Sequence, residues 1–261
     1  MQYSALNLDN CSMKELVQVA WAERQNYDLT GIGYGLDHWG KSEKPITKPF
    51  PYYFFLAGMV KVTNASRIVE IGTHQGGSTR AMAKALEARN EGQIVTFDVT
   101  PYGHEMFVRH DFIRAWTCEA NSETAFNHVV EQFGEPRIDL VFIDANHRFW
   151  PTLLNVLIYG ETCAARFMIL DDITLNPEMS RLWDLLTLRY GHENIIDASK
   201  VDPVIRCPPT GFGVVRCAGI GKMANGTSSV SPAGTADMNF TETLTWHLDF
   251  PKRPGARSTR G

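Results

Sequence analysis

A strand that becomes a helix within a few glycine-rich residues is the feature that most limits what this chain can fold into. In the stretch from Arg67 to Leu86, Ile68, Val69 and Ile71 form the apolar run of a strand buried on both faces of a parallel sheet. Glu70 sits near its end. Gly72, Gly76 and Gly77 supply a tight turn, and Ser78 with Thr79 opens a helix. A helix start behind a glycine loop presents unpaired backbone N–H groups and a positive dipole end, so an anionic group of a small ligand can rest there.

Strands and helices go on alternating along the chain. Ser12-Met-Lys-Glu15 is a capping box, and the spacing of Leu16, Val19 and Ala20 predicts a helix from 13 to 25. Residues 28–50, with many glycines and prolines around Tyr34, His38 and Trp39, form a loop that is either a lid or a packed connection. Pro51 starts an apolar helix. Strands follow at Ile94 to Asp98, Ala115 to Cys118, Ile138 to Ile143, Ala165 to Leu170, Ile195 to Ile196 and Phe212 to Val215. Between them, helices begin at Asn121 or Ser122, near 149 (running to 159), and behind Asn176-Pro177. Such alternation predicts an α/β fold with a doubly wound, mostly parallel seven-stranded sheet and an N-terminal helical cap. The division is 1–50 for the first helix and lid loop, 51–220 for the core, and 221–261 for a linker and arm. In that arm Leu244, Trp246, Leu248 and Phe250 recur with period two, which suits either an edge strand or an arm packing on a neighbour, as in a homo-oligomer.

Composition removes several function classes. The 25 Lys and Arg against 29 Asp and Glu give a net charge of −4 without a basic stripe, so nucleic acid is not an expected partner. The longest apolar run, Tyr52 to Val60, is too short to span a bilayer, and no secretory signal opens the chain; a cytoplasmic protein without a membrane partner is expected. The five cysteines never form a C-x-x-C pair, which argues against a disulfide scaffold and a structural zinc site. A small molecule is the partner left.

Three strand ends carry acids: Asp98, Asp144 and the pair Asp171-Asp172. Singly, each is read as a helix cap or turn former. In a parallel sheet, however, these ends share one edge beside the glycine loop, where close like charges are unfavourable without a cation. A dinucleotide fingerprint is ruled out because the residue two after Gly72 is His74, and no phosphate-loop motif is present.

Glu70-Ile-Gly72-Thr-His-Gln-Gly76-Gly-Ser78 resembles the first motif of the class I S-adenosylmethionine-dependent methyltransferases, over about residues 51–217. Within them, Phe142-Ile-Asp144-Ala-Asn-His147 and Ile169-Leu-Asp171-Asp172 resemble metal-dependent small-molecule O-methyltransferases of the macrolide-sugar and catechol type, and the related cephalosporin-hydroxylase-like proteins. The resemblance implies that Gly72 and Gly76 let the backbone approach the methionine part of S-adenosylmethionine, that Ser78 bonds its carboxylate, and that Asp98 holds its ribose. It also places Glu70, Asn121, Ser122 and Asp144 among the cofactor residues. It implies Mg2+ on Asp144, Asp171 and Asp172, a hydroxylated small-molecule acceptor, and His147 as general base. Two departures stand out: Asp171 takes a position where sugar enzymes tend to have Glu, and the acceptor-pocket loop is not recognisable. Two other readings remain. One is a metal-independent N- or O-methyltransferase in which Asp171 and Asp172 cap the next helix; the other is a non-catalytic assembly protein that keeps the fold.

Overall fold

The computed structural model describes residues 6–32, 48–101, 104–206 and 209–217. Most of the lid loop, and all of the linker and arm with the proposed oligomer contact, lie outside the described residues.

Seven strands form a single sheet in the order β3-β2-β1-β4-β5-β7-β6. They are β1 (Arg67–Ile71), β2 (Gln93–Asp98), β3 (Ile113–Thr117), β4 (Leu140–Ile143), β5 (Phe167–Asp171), β6 (Ile195–Asp197) and β7 (Phe212–Arg216). The first five run parallel, whereas β7 is antiparallel to both β5 and β6. The expected doubly wound, mostly parallel sheet is therefore present. Among the described residues no crossover α-helix separates β6 from β7, and the chain returns along the sheet in the opposite direction.

Register decides what meets at the sheet edge. Ile71 pairs with Phe97 on one side and Ile143 on the other, and Ile143 pairs with Leu170. The residues that follow these four positions are Gly72, Asp98, Asp144 and Asp171, so the glycine loop and the acids emerge together.

Around the sheet pack α1 (Met13–Ala22), α2 (Pro51–Val62), α3 (Gly77–Glu87), α4 (Glu123–Phe133), α5 (Phe149–Asn155) and α6 (Pro177–Tyr190). The capping box on α1 forms, with Glu15 N–H donating to Ser12 Oγ and Ser12 N–H to Glu15. This α-helix ends at Ala22, and residues Glu23–Asn26 tighten into a 3-10 turn instead of extending it to 25. Of the two candidate caps on α4, Ser122 is the one used, and Gly134 closes the helix in the left-handed region. α5 stops at Asn155 and continues as a π-helical segment through Thr162, past the expected end at 159. β3 begins two residues before the apolar pattern suggested, because Ile113 already pairs with Ile94.

Eight of the twelve α2 residues are buried, as its mostly apolar composition demands. A Cβ on Gly58 would lie 2.0 Å from the Ala20 carbonyl oxygen, so glycine is what lets α1 cross α2 this closely. No helix among the described residues is long and apolar enough to cross a membrane.

Candidate active site

The β1–α3 loop is held from beneath. Gly72 N–H and Thr73 N–H both donate to the Phe97 carbonyl, at 2.8 and 3.2 Å. Gly72 has φ +98°, and a Cβ there would meet the Asp144 carbonyl oxygen at 2.0 Å. Gly76 caps α3 at φ +71° against the Phe107 ring.

Glu70 is fully buried beneath this loop, where it accepts hydrogen bonds from Ser78 Oγ (2.5 Å), Thr96 Oγ1 (2.7 Å) and Thr79 Oγ1. Burial pushes its carboxyl up to about 7 even though the three hydroxyls pull it down. It therefore ties the first turn of α3 to the sheet and stands off the cavity wall. Asp98 accepts from His74 N–H at 2.7 Å and from Thr100 N–H at 3.0 Å, one on each oxygen, so it fixes the loop while it lines the cavity.

That cavity, of about 800 Å³, opens along the carboxyl ends of the strands. Among the residues expected from sequence, Gly72, Ser78, Asp98, Asn121, Asp144, His147, Asp171 and Asp172 line it. Glu70, Gly76 and Ser122 do not; Ser122 accepts from Ala125 N–H and donates to the Glu119 carbonyl as the α4 cap. On the same wall, Asn155 is buried and its Oδ1 has no partner among the described residues. Tyr159 fixes the neighbouring segment by donating to the Ala120 carbonyl at 2.5 Å.

Also on the cavity wall, Asp144, Asp171 and Asp172 gather around the side chains of His147 and Arg206. His147 Nε2 lies 3.6 Å from Asp144 Oδ1 and 3.5 Å from Asp172 Oδ2, and its side chain is 26% exposed. The backbone behind it is held by Asn176, whose Nδ2 donates to the His147 carbonyl at 2.8 Å while its Oδ1 caps α6. Arg206, in the β6–β7 connection, forks onto Asp171: Nε to Oδ1 at 2.6 Å and Nη2 to Oδ2 at 2.9 Å. Nη2 also donates to Asp172 Oδ1 at 2.7 Å, and Thr210 Oγ1 donates to that same oxygen. Asp172 holds a left-handed φ of 57° to make these contacts, a backbone strain that concentrates at sites where geometry is over-determined.

Burial raises the Asp144 carboxyl to about 7; Asp172 adds to the rise, while Arg206 and a hydrogen bond with Asp171 oppose it. Asp171 is likewise pushed well above the carboxylate range by burial and by Asp144, against the pull of Arg206. The cluster thus holds more negative charge than the guanidinium neutralises, and a proton on one acid relieves the excess.

The cavity suits S-adenosylmethionine. Its glycine cradle admits a close backbone approach, Ser78 and Asp98 lie on the wall, and the orphaned Asn155 oxygen is an acceptor for an amino group such as that of an adenine. Magnesium fares differently. Both Asp171 oxygens and one Asp172 oxygen are engaged by Arg206, and among the described residues no group of three His, Cys, Asp or Glu side chains is placed to hold a metal ion. The carboxylates are gathered as the sequence suggested, but in this arrangement they do not fit a divalent cation.

Arg206, Thr210 and Asn155 were not singled out by the sequence. Asn155 sits inside an apolar helix pattern, and Arg206 lies in an irregular segment whose position opposite the acids depends on where β7 inserts.

A family described as a methyltransferase domain matches residues 69–172. Among curated proteins the sequence has no significant match. Solved structures with related folds include the methyltransferase PaMTH1 of Podospora anserina, bound to S-adenosylhomocysteine, at 13% identity and TM-score 0.49 over 83% of this chain and 98% of that one. The O-methyltransferase TomG of Streptomyces achromogenes, from tomaymycin synthesis and in complex with S-adenosylmethionine, is 16% identical at TM-score 0.44 over 77% and 89%. An O-methyltransferase of Bacillus cereus in complex with S-adenosylhomocysteine is 20% identical at TM-score 0.43 over 80% and 93%.

Proposed function

We propose that this chain, whose residues 69–172 match a methyltransferase-domain family, is a class I S-adenosylmethionine-dependent methyltransferase that methylates a hydroxyl of a small molecule with His147 as general base. The observation that carries this reading is the imidazole at the cavity wall, held against the carboxylates of Asp144 and Asp172.

When bound, S-adenosylmethionine supplies an electrophilic methyl on a sulfonium. The chain has to place an acceptor oxygen in line behind that methyl and take its proton. Gly72, Ser78, Asp98 and Asn121 hold and orient the cofactor, with Glu70 and Gly76 shaping the loop from below and Ser122 setting the start of α4. Nε2 of His147 faces Asp144 and Asp172, which favours a proton on that nitrogen and stabilises the imidazolium as it forms. Nδ1 makes no hydrogen bond to a described residue and is the nitrogen that accepts the hydroxyl proton. The acceptor oxygen would bond the methyl carbon as the carbon–sulfur bond broke and released S-adenosylhomocysteine, while the O–H electron pair stayed on the oxygen and the proton went to Nδ1. No step passes through magnesium, because the carboxylates it needs are taken.

The cavity must hold both cofactor and acceptor, which keeps the acceptor small. Calorimetric titration with S-adenosylmethionine tests the first half of the reading; no binding heat and no competition by S-adenosylhomocysteine would refute it. A panel of phenols, sugars and amines screened for S-adenosylhomocysteine release tests the second. Turnover confined to amines would overturn the hydroxyl assignment.

A further inference from the structure

We propose that the Arg206 guanidinium is the resident cation of this site, taking from within the chain the place a divalent ion would have between Asp171 and Asp172. The proposal uses the methyl-transfer reading only to say what the site is for.

Arg206 reaches the acids because β7 returns antiparallel between β5 and β6, bringing the connection before it to the carboxyl edge of the sheet. Three of its hydrogen bonds go to the two carboxylates, and both oxygens of Asp171 are used in a planar fork. A fork of this kind fixes geometry as a point charge does not, so lysine cannot replace it. The assembly is built in: Asp171 is 3% and Asp172 9% exposed, the arginine side chain is 13% exposed, and the Tyr52 ring lies 5.3 Å beneath the guanidinium carbon. Thr210 adds a further donor to Asp172.

Two consequences follow. Magnesium asks for about six oxygen ligands in near-octahedral array, and to obtain them here it would have to expel a buried, forked ion pair. Nη1, meanwhile, makes no hydrogen bond to a described residue although Arg206 lines the cavity, so its N–H groups are free to steady the oxygen from which His147 takes a proton.

Electron paramagnetic resonance of free Mn2+ tests this on the full chain without any acceptor. Wild type should leave the free Mn2+ signal unchanged, with or without S-adenosylmethionine. Arg206→Met, and independently Arg206→Ala, should remove about one equivalent of signal per chain, because the freed carboxylates become oxygen ligands; adding Asp171→Asn to either should restore the signal. Uptake of Mn2+ by wild type would overturn the proposal even if both variants failed to fold. Folded variants that take up no Mn2+ would overturn it too. A failure to bind S-adenosylmethionine would instead refute the methyl-transfer reading and leave the manganese result standing.

Discussion

Single side chains carry the sharpest expectations. His147→Ala should lower kcat by roughly 10²–10⁴, with S-adenosylmethionine affinity nearly unchanged, since His147 is not one of the residues assigned to hold the cofactor. Turnover measured against calorimetric binding decides it, and equal losses in both would give His147 a structural role. Gly72→Ala should fail differently. The new Cβ would lie 2.0 Å from the Asp144 carbonyl at a φ of +98°, so the loop must shift; a cost of about 2 kcal/mol or more is expected, with a lower Tm and weakened cofactor binding together. The roles of Glu70 show how far residue-level reading goes. Its place in the motif was legible, but its three hydroxyl partners, one of them Thr96 on a different strand, show that it braces the loop instead of lining the cavity.

Elements matter here through their ends. The start of α6 is joined to the loop that carries His147 because Asn176 caps the helix with Oδ1 and holds the His147 carbonyl with Nδ2. Asn176→Asp keeps an oxygen for the cap and loses the donor, so it should leave Tm almost unaltered and lower kcat. Asn176→Ala loses both and should also cost about 1 kcal/mol of stability in chemical denaturation. If the two variants behaved alike, the tie to His147 would be without effect. Caps of this kind were readable in advance, because Asn176-Pro177 and the Ser12 box act within one turn. Element ends that depend on packing were not: the 3-10 turn after Ala22, the early start of β3 and the π-helical continuation of α5 answer to neighbours distant in sequence.

For the molecule as a whole, burial of acids at one sheet edge ties stability to pH. The folded state keeps the Glu70 proton up to about 7, whereas a solvent-exposed glutamate releases it near 4.5. Between those values the folded chain binds more protons than the unfolded one, so this contribution is complete below the lower value and is lost as pH rises through the upper. The loss is of order 3 kcal/mol. Tm of wild type measured against Glu70→Gln should converge above neutrality and diverge in favour of wild type toward pH 5; a constant difference across the range would show that Glu70 stays ionised. The sequence by itself determined the alternation of strand and helix, the glycine turn, the caps and the strand ends on which the acids sit, because hydrophobic period and turn chemistry act over a few residues. Only the tertiary structure decided how the charges are shared out. Arg206 lies 35 residues from Asp171 and becomes its partner because β7 inserts beside β5, and in a buried, low-dielectric site that pairing changes what the acids are free to bind.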